Sequence, residues 1–271
     1  MKPAQRGITG AFIVLAITAG AWYWTHRTAP VAPPPPPVPQ AVRVEPAPSA
    51  PTPAPGPVIR HPVPAASQAA AGASGIEGAL ARLFGRDATL FIAQDFVPHV
   101  VATVDALGRA HASPLVWPVQ GPPGRFETRA GADGVVIARD NGLRYARYLH
   151  ALRHVDLQRL AAAYIELYPQ FQSAYRDLGY PQGYFNDRFV EVLDLLISTP
   201  VVERPIRLER PQAASGQAPT PTPTLYVYAD PALESLSAGQ KILLRMGPER
   251  ERAVQARLRA WRRLITTGGK P

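Results

Sequence analysis

From Gly7 to Trp24 the chain is apolar without one charge, and it then passes into prolines spaced by Ala, Val, Ser and Gln as far as Ser74. A helical or strand period returns only after residue 75. Eighteen helical residues rise about 27 Å, close to the hydrocarbon thickness of a bilayer, so the run 7–24 predicts a single transmembrane helix. Lys2 and Arg6 precede it and Arg27 follows, which by the positive-inside rule keeps residues 1–6 in the cytoplasm and sends the rest to the periplasm. Trp22, Tyr23 and Trp24 stand where an interfacial aromatic belt belongs. Ala19-Gly20-Ala21 also fits a signal-peptide cleavage site, but the apolar run continues through Trp-Tyr-Trp beyond it, which favours an uncleaved anchor. Residues 25–75 read as a proline-rich stalk, with only Arg43, Glu45 and Arg60 charged between 28 and 75 and too few large apolar side chains to build a core.

Residues 76–267 carry the folding signals of one domain, followed by a tail at 268–271. Helical spacing runs from Asp87 to Leu107, with a kink expected at Pro98 and a stop at Gly108. Arg125–Thr128 and Val135–Ala138 flank Gly131-Ala132-Asp133-Gly134 and predict a hairpin, after which Asp140 or Asn141 would cap a helix through Leu152. The strongest stripe lies in 156–178, where Pro169 should bend the helix or split it. Phe185, Phe189, Val192, Leu193 and Leu196 form the next stripe, with Asp187, Glu191 and Asp194 on the opposite face, which reads as solvated or Arg-paired. Two short strands, 206–208 and 225–228, are separated by a Pro and Thr-rich loop at 211–224. Asp230-Pro231, the Ser237-x-x-Gln240 capping box and Gly247-Pro248 punctuate the last helices. The fold expected is mainly α (α+β): a multi-helix domain with a few short antiparallel strands.

The chain has no Cys, which excludes disulfides, thiolate catalysis, thiolate metal sites and lipoprotein anchoring. Its net charge of +9 is unevenly spread: residues 1–75 hold five basic and one acidic side chains, residues 249–271 seven and two, and the stretch between is neutral. Such a distribution argues against nucleic acid as a partner. It leaves a basic C-terminal helix whose stripe Val254, Leu258, Trp261 and Ile265 either docks on the core with the arginines solvated or lies on anionic lipid or an acidic partner; docking is expected.

No catalytic motif stands out, and no cofactor is called for. His150 and His154 have the spacing of two metal ligands on one helical face, but Ala151 occupies the place of the zinc-protease Glu and no third ligand is evident, so a surface pair is expected. Asp187 and Glu191 stack on one helix instead of facing each other across a substrate. Ser237-x-x-x-Lys241 is one residue longer than the Ser-x-x-Lys of penicillin-interacting enzymes. What remains is a set of polar and aromatic residues at element ends: Arg144, Tyr145, Tyr148, Tyr180, Tyr184, Asn186, Asp187, Arg188, Asp230, Lys241 and Arg245. These residue types make stacking and planar hydrogen-bonding surfaces. The competing expectation is structural, with Arg188 neutralising Asp187 and Arg245 neutralising Asp230.

Asn141-x-x-Arg144-Tyr145-x-x-Tyr148, Ala174 to Pro181, Gly183 to Arg188 and Ala238 to Pro248 resemble the bacterial domain-of-unknown-function family numbered 3014, over roughly residues 80–265. The resemblance implies a membrane-anchored bacterial protein and no particular activity. The leading expectation is therefore a binding or scaffolding module, held to the inner membrane by residues 7–24 and facing an envelope protein or a cell-wall component. The alternative is an envelope enzyme acting on cell-wall glycan or peptide, with Asp187, Arg188, Lys241 and Arg245 lining its site.

Overall fold

The computed structural model describes residues 58–64, 75–210 and 226–266. The expected anchor at 7–24, most of the stalk and the loop 211–224 lie outside them. Among the described residues no helix is long and apolar enough to cross a membrane.

Eight α-helices follow in chain order among the described residues: α1 (Ile76–Phe84), α2 (Phe96–Leu107), α3 (Ala146–His154), α4 (Leu157–Asp177), α5 (Phe185–Ile197), α6 (Pro231–Glu234), α7 (Ala238–Met246) and α8 (Pro248–Ile265). Four strands, β1 (Thr128–Gly131), β2 (Gly134–Ile137), β3 (Arg207–Glu209) and β4 (Val227–Tyr228), form one antiparallel sheet in the order β1-β2-β3-β4. The chain is thus mainly helical with a small four-stranded sheet.

The main core is where α2, α4, α5 and α8 converge. The periodic stripe of α4 meets that of α5 in a chain of rings: Tyr164 stacks on Phe171 at 5.5 Å, Phe171 on Phe185 at 5.7 Å and Phe185 on Phe189 at 5.8 Å. Trp261 of α8 closes the cluster edge-on against Tyr164 at 5.8 Å. Offset and edge-on ring contacts of this kind add to the burial of apolar area. The C-terminal stripe therefore docks, with Ile265 fully buried. A second, smaller cluster of Ile206, Leu208, Tyr228, Leu233 and Leu244 joins the sheet to α6 and α7.

Several local expectations are corrected. Residues 87–107 are not one helix: a 3-10 turn (Gly85–Leu90) and an extended stretch precede α2, and Pro98 falls in its first turn, where a missing N–H leaves no bond unmade. Asp140 and Asn141 cap nothing, because a 3-10 turn (Arg139–Tyr145) runs directly into α3. Pro169 does not split α4, which continues for 21 residues. The hairpin turn is in place, although β1 begins at Thr128, where the expected strand ends, and pairs Gly131 with Gly134. The caps at Asp230 and Ser237 form as read, the latter as a reciprocal capping box.

The acidic face of α5 is Arg-paired at Glu191 and Asp194, one of the two outcomes expected of it, and is corrected only at Asp187. Asp187 is buried and accepts the backbone N–H of Arg60 (3.0 Å) and of His61 (2.6 Å), so residues 58–64 are bound along the start of the helix. Its neighbour Asn186 uses its whole side chain: Oδ1 accepts from the Tyr164 hydroxyl at 2.8 Å, and Nδ2 donates to the His61 and Ile265 carbonyls at 2.8 and 3.1 Å. One amide thereby ties together α4, α8 and the segment that precedes the domain. Asp194 pairs with Arg262 of α8 through both oxygens, at 2.5 and 2.9 Å, and Arg257 donates to the Leu152 and Val155 carbonyls. The C-terminal arginines are partly used in docking their helix instead of standing free in solvent.

Candidate functional site

The chain between α2 and β1 is the part the sequence reading left without a role, and it builds one wall of a cleft. Thr103 of α2 donates to the Val116 carbonyl at 2.9 Å, and the backbone around Pro118 to Gln120 pairs with Leu90 to Ile92. From the other side Arg144 donates to the carbonyls of Pro123 (2.8 Å) and Gly124 (3.2 Å), while the Tyr148 hydroxyl donates to that of Gln120. Prolines supply no N–H, so Pro122 and Pro123 cannot donate to a strand ladder, and the Arg144 fork instead gathers the carbonyls of Pro123 and Gly124.

Between this wall, the sheet and α7 lies a cavity of about 510 Å³ lined by six aromatic residues: Trp117, Phe126, Tyr145, Tyr148, Tyr226 and Tyr228. Arg144 and Arg245 supply its charge, and no Asp or Glu lines it among the described residues. The Arg245 guanidinium lies 5.7 Å from the Phe126 ring centroid and has no ion pair among the described residues, while the Tyr228 hydroxyl donates to the Lys241 carbonyl at 3.0 Å. Burial raises the Tyr145 and Tyr148 hydroxyls above their ordinary pKa and pushes Tyr228 up to about 12, against the opposing pull of nearby arginines, so these phenols stay protonated donors at neutral pH. Trp117 Nε1–H is buried out of reach of solvent and has no hydrogen-bond partner among the described residues, so Trp117 gives the cleft apolar surface only.

Asn141 sets the two arginines relative to each other. It is fully buried, its Oδ1 accepts from the Glu127 N–H (3.1 Å) and from Arg144 (3.2 Å), and its Nδ2 donates to the Arg245 carbonyl (2.8 Å). The residue read as a helix cap is a three-way joint between the cleft wall, the 3-10 turn and α7.

The family model described as a protein of unknown function, DUF3014, matches residues 96–262. The chain belongs to this family. No curated protein and no solved structure matches it. The cleft lies wholly within the DUF3014 region, whereas α1 and residues 58–64 precede it.

Of the eleven candidate residues, Arg144, Tyr145, Tyr148 and Arg245 come together here. The others do not. The Tyr180 hydroxyl accepts from Arg109 and donates to Asp105 at 3.2 Å. Tyr184, Asn186 and Asp187 sit at the start of α5, where the Tyr184 side chain caps nothing and the other two hold residues 58–64. Arg188 pairs with Asp105 (3.0 Å) and Glu191 (3.2 Å), not with Asp187, and its guanidinium occupies the space beside Gly108, where a Cβ would stand 2.8 Å from Nη2. Asp230 pairs with Arg204 at 3.2 Å, not with Arg245. Lys241 pairs with Glu234 at 2.6 Å; burial alone would raise that carboxyl, but Lys241 and the Tyr228 N–H hold it below its ordinary pKa. Ion pairing was the right kind of interaction with the wrong partners. Asp187, Arg188, Lys241 and Arg245, named together for an enzyme site, each have separate partners and do not surround one cavity. His150 and His154 stack at 4.1 Å, with His150 Nδ1 against Asp87 at 2.9 Å.

Proposed function

We propose that the protein is a binding module of the bacterial envelope, anchored in the inner membrane by residues 7–24 with its DUF3014 domain in the periplasm, and that the aromatic cleft takes an extended, acidic segment of another envelope protein. The observation that carries this reading is the lining of the cleft, where six aromatic residues meet Arg144 and Arg245 with no carboxylate among the described lining residues. Aromatic rings give apolar contact at little entropic cost, and arginine selects a carboxylate. The anchor is supported by the length and flanks of the apolar run.

Two measurements test it. A phosphatase that works only in the periplasm, fused after Pro271, should be active, and a fluorescent protein that matures only in the cytoplasm should stay dark there; the reverse pattern overturns the orientation. For the cleft, extended peptides selected against the full chain from a displayed library should be enriched in acidic residues. Arg245→Gln removes a cation that has no ion pair among the described residues, so the melting temperature should hold while affinity for acidic peptides falls about tenfold. Equal affinity for the wild type and Arg245→Gln, or saturable binding of cell-wall fragments in place of peptides, would reject the proposed occupant.

A further inference from the structure

Arg245 and Met246 belong to the walls of two cavities. The second, of about 450 Å³, lies between the end of β2, the 3-10 turn that follows it, the segment 202–206 and the α7–α8 junction, and five arginines line it: Arg129, Arg139, Arg204, Arg245 and Arg250. Its two carboxylates are Glu203 and Glu249. Glu203 is taken by Arg252 and Arg204 by Asp230, whereas Arg129, Arg139 and Arg250 have neither an ion pair nor a hydrogen bond among the described residues. Setting those two pairs aside leaves four cations against Glu249, an excess of three positive charges facing one concavity.

Arg250 is placed there by packing. A Cβ on Gly142 would stand 2.6 Å from its Nη1 and 2.5 Å from the Met246 carbonyl, so only glycine lets the 3-10 turn lie against α7 with the guanidinium between them. Cations confined in a concave wall repel one another, and the field is focused where solvent is partly excluded. A multiply charged oxyanion relieves that repulsion, and guanidinium forks match its oxygens in pairs. A single carboxylate would neutralise a third of the excess, whereas a phosphate group carries up to two charges and enough acceptors for several forks.

We propose that this cavity is an anion site for a phosphate-bearing ligand, supplied either by a soluble phosphate or by the headgroup of an anionic phospholipid. The test uses the full chain in neutral detergent micelles, titrated calorimetrically with pyrophosphate. Saturable binding is expected, weakened by added salt and weakened at least tenfold in the Arg129→Gln/Arg139→Gln double variant. Both side chains are exposed and unpaired, so the fold has no stake in them. Arg159→Gln, at a surface arginine that pairs only with Asp156 at 3.6 Å, should bind as the wild type does. Doping the micelles with phosphatidylglycerol separates the sources: a headgroup ligand lowers the apparent pyrophosphate affinity of the wild type toward that of the double variant, and a soluble ligand leaves it unchanged. Absence of saturable binding, or equal affinity in the double variant, overturns the site and returns these arginines to a solvated surface.

Discussion

Phe185→Ala should destabilise the domain by about 3 to 5 kcal/mol, which a urea or thermal unfolding curve of the full chain will register as a large loss in the transition assigned to residues 75–266. Phe185 has no exposed surface, and its ring is held between Phe171, Tyr175 and Phe189 with centroids 5.7 to 5.8 Å away. It is the first residue of α5, where helix start, aromatic cluster and the α4–α5 turn meet, and its own N–H donates to Gln172 Oε1 at 2.9 Å. Little around it can collapse into the space, because each of those three rings is held by another: Phe171 by Tyr164, Tyr175 by Tyr180, and Phe189 by Tyr164 and Trp261. Phe185→Leu, which keeps most of the volume, should lose much less. A loss under about 1 kcal/mol for the alanine variant would mean that α4 and α5 do not pack through these rings.

Glu251→Gln should stabilise the protein at pH 8 by about 3 kcal/mol and leave it nearly unchanged at pH 4. Glu251 is 1 % exposed and its Oε1 has no hydrogen-bond partner among the described residues. Burial raises its carboxyl from the ordinary 4.5 to about 7. A carboxyl with a raised folded-state pKa binds its proton more tightly in the folded than in the unfolded chain. Its favourable contribution is therefore complete below pH 4.5, falls as pH rises from there through about 7, and is gone above that. Above pH 7 the folded protein holds a buried unpaired charge, and glutamine removes it while keeping the shape. Melting temperatures recorded between pH 4 and pH 8 should decline in the wild type and stay flat across the same window in the variant. Parallel curves would place a countercharge at Glu251 that the structure does not show.

The two changes probe different levels of legibility. Phe185 was readable, since it opens a stripe at helical spacing and large apolar residues in such stripes are buried by default. Glu251 was not: its neighbours in sequence are Arg250 and Arg252, and nothing in that alternation marks one carboxylate for the interior. Which face of α8 turns inward follows from Val254, Trp261 and Ile265, and Glu251 shares that face at a distance of three residues from Val254. Periodicity could have flagged it, and charge alone hid it.

The cleft shows the same division. Arg144, Tyr145, Tyr148 and Arg245 were singled out as a polar and aromatic set, but so were seven residues that stand elsewhere, because composition does not say which element ends are neighbours. Trp117, Phe126, Tyr226 and Tyr228 were missed as lining. Phe126, Tyr226 and Tyr228 were read only as strand positions, and Trp117 lies in a stretch without a period, although a Trp before Pro122, Pro123 and Gly124 is a residue a solvent-facing loop has little use for. Ion-pair partners were misassigned for the related reason that nearness in sequence was taken for nearness in space. Arg188 follows Asp187 directly, yet successive residues on a helix point about 100° apart, and Asp105 of α2 is what faces it.

The sequence by itself determined the membership in DUF3014, the helices from 157 onward, the caps at Asp230 and Ser237, the hairpin turn and the docking stripe of α8, because each is written in patterns of residues a few positions apart. Only the tertiary structure decided that Asp187 and Asn186 bind the segment before the domain, that Asn141 joins three elements, and that Arg245 stands in the walls of both an aromatic and an arginine-lined cavity. Those arrangements depend on pairs separated by about a hundred residues, and side-chain chemistry states what each group can bond without stating which distant group the packing of helices will bring to it.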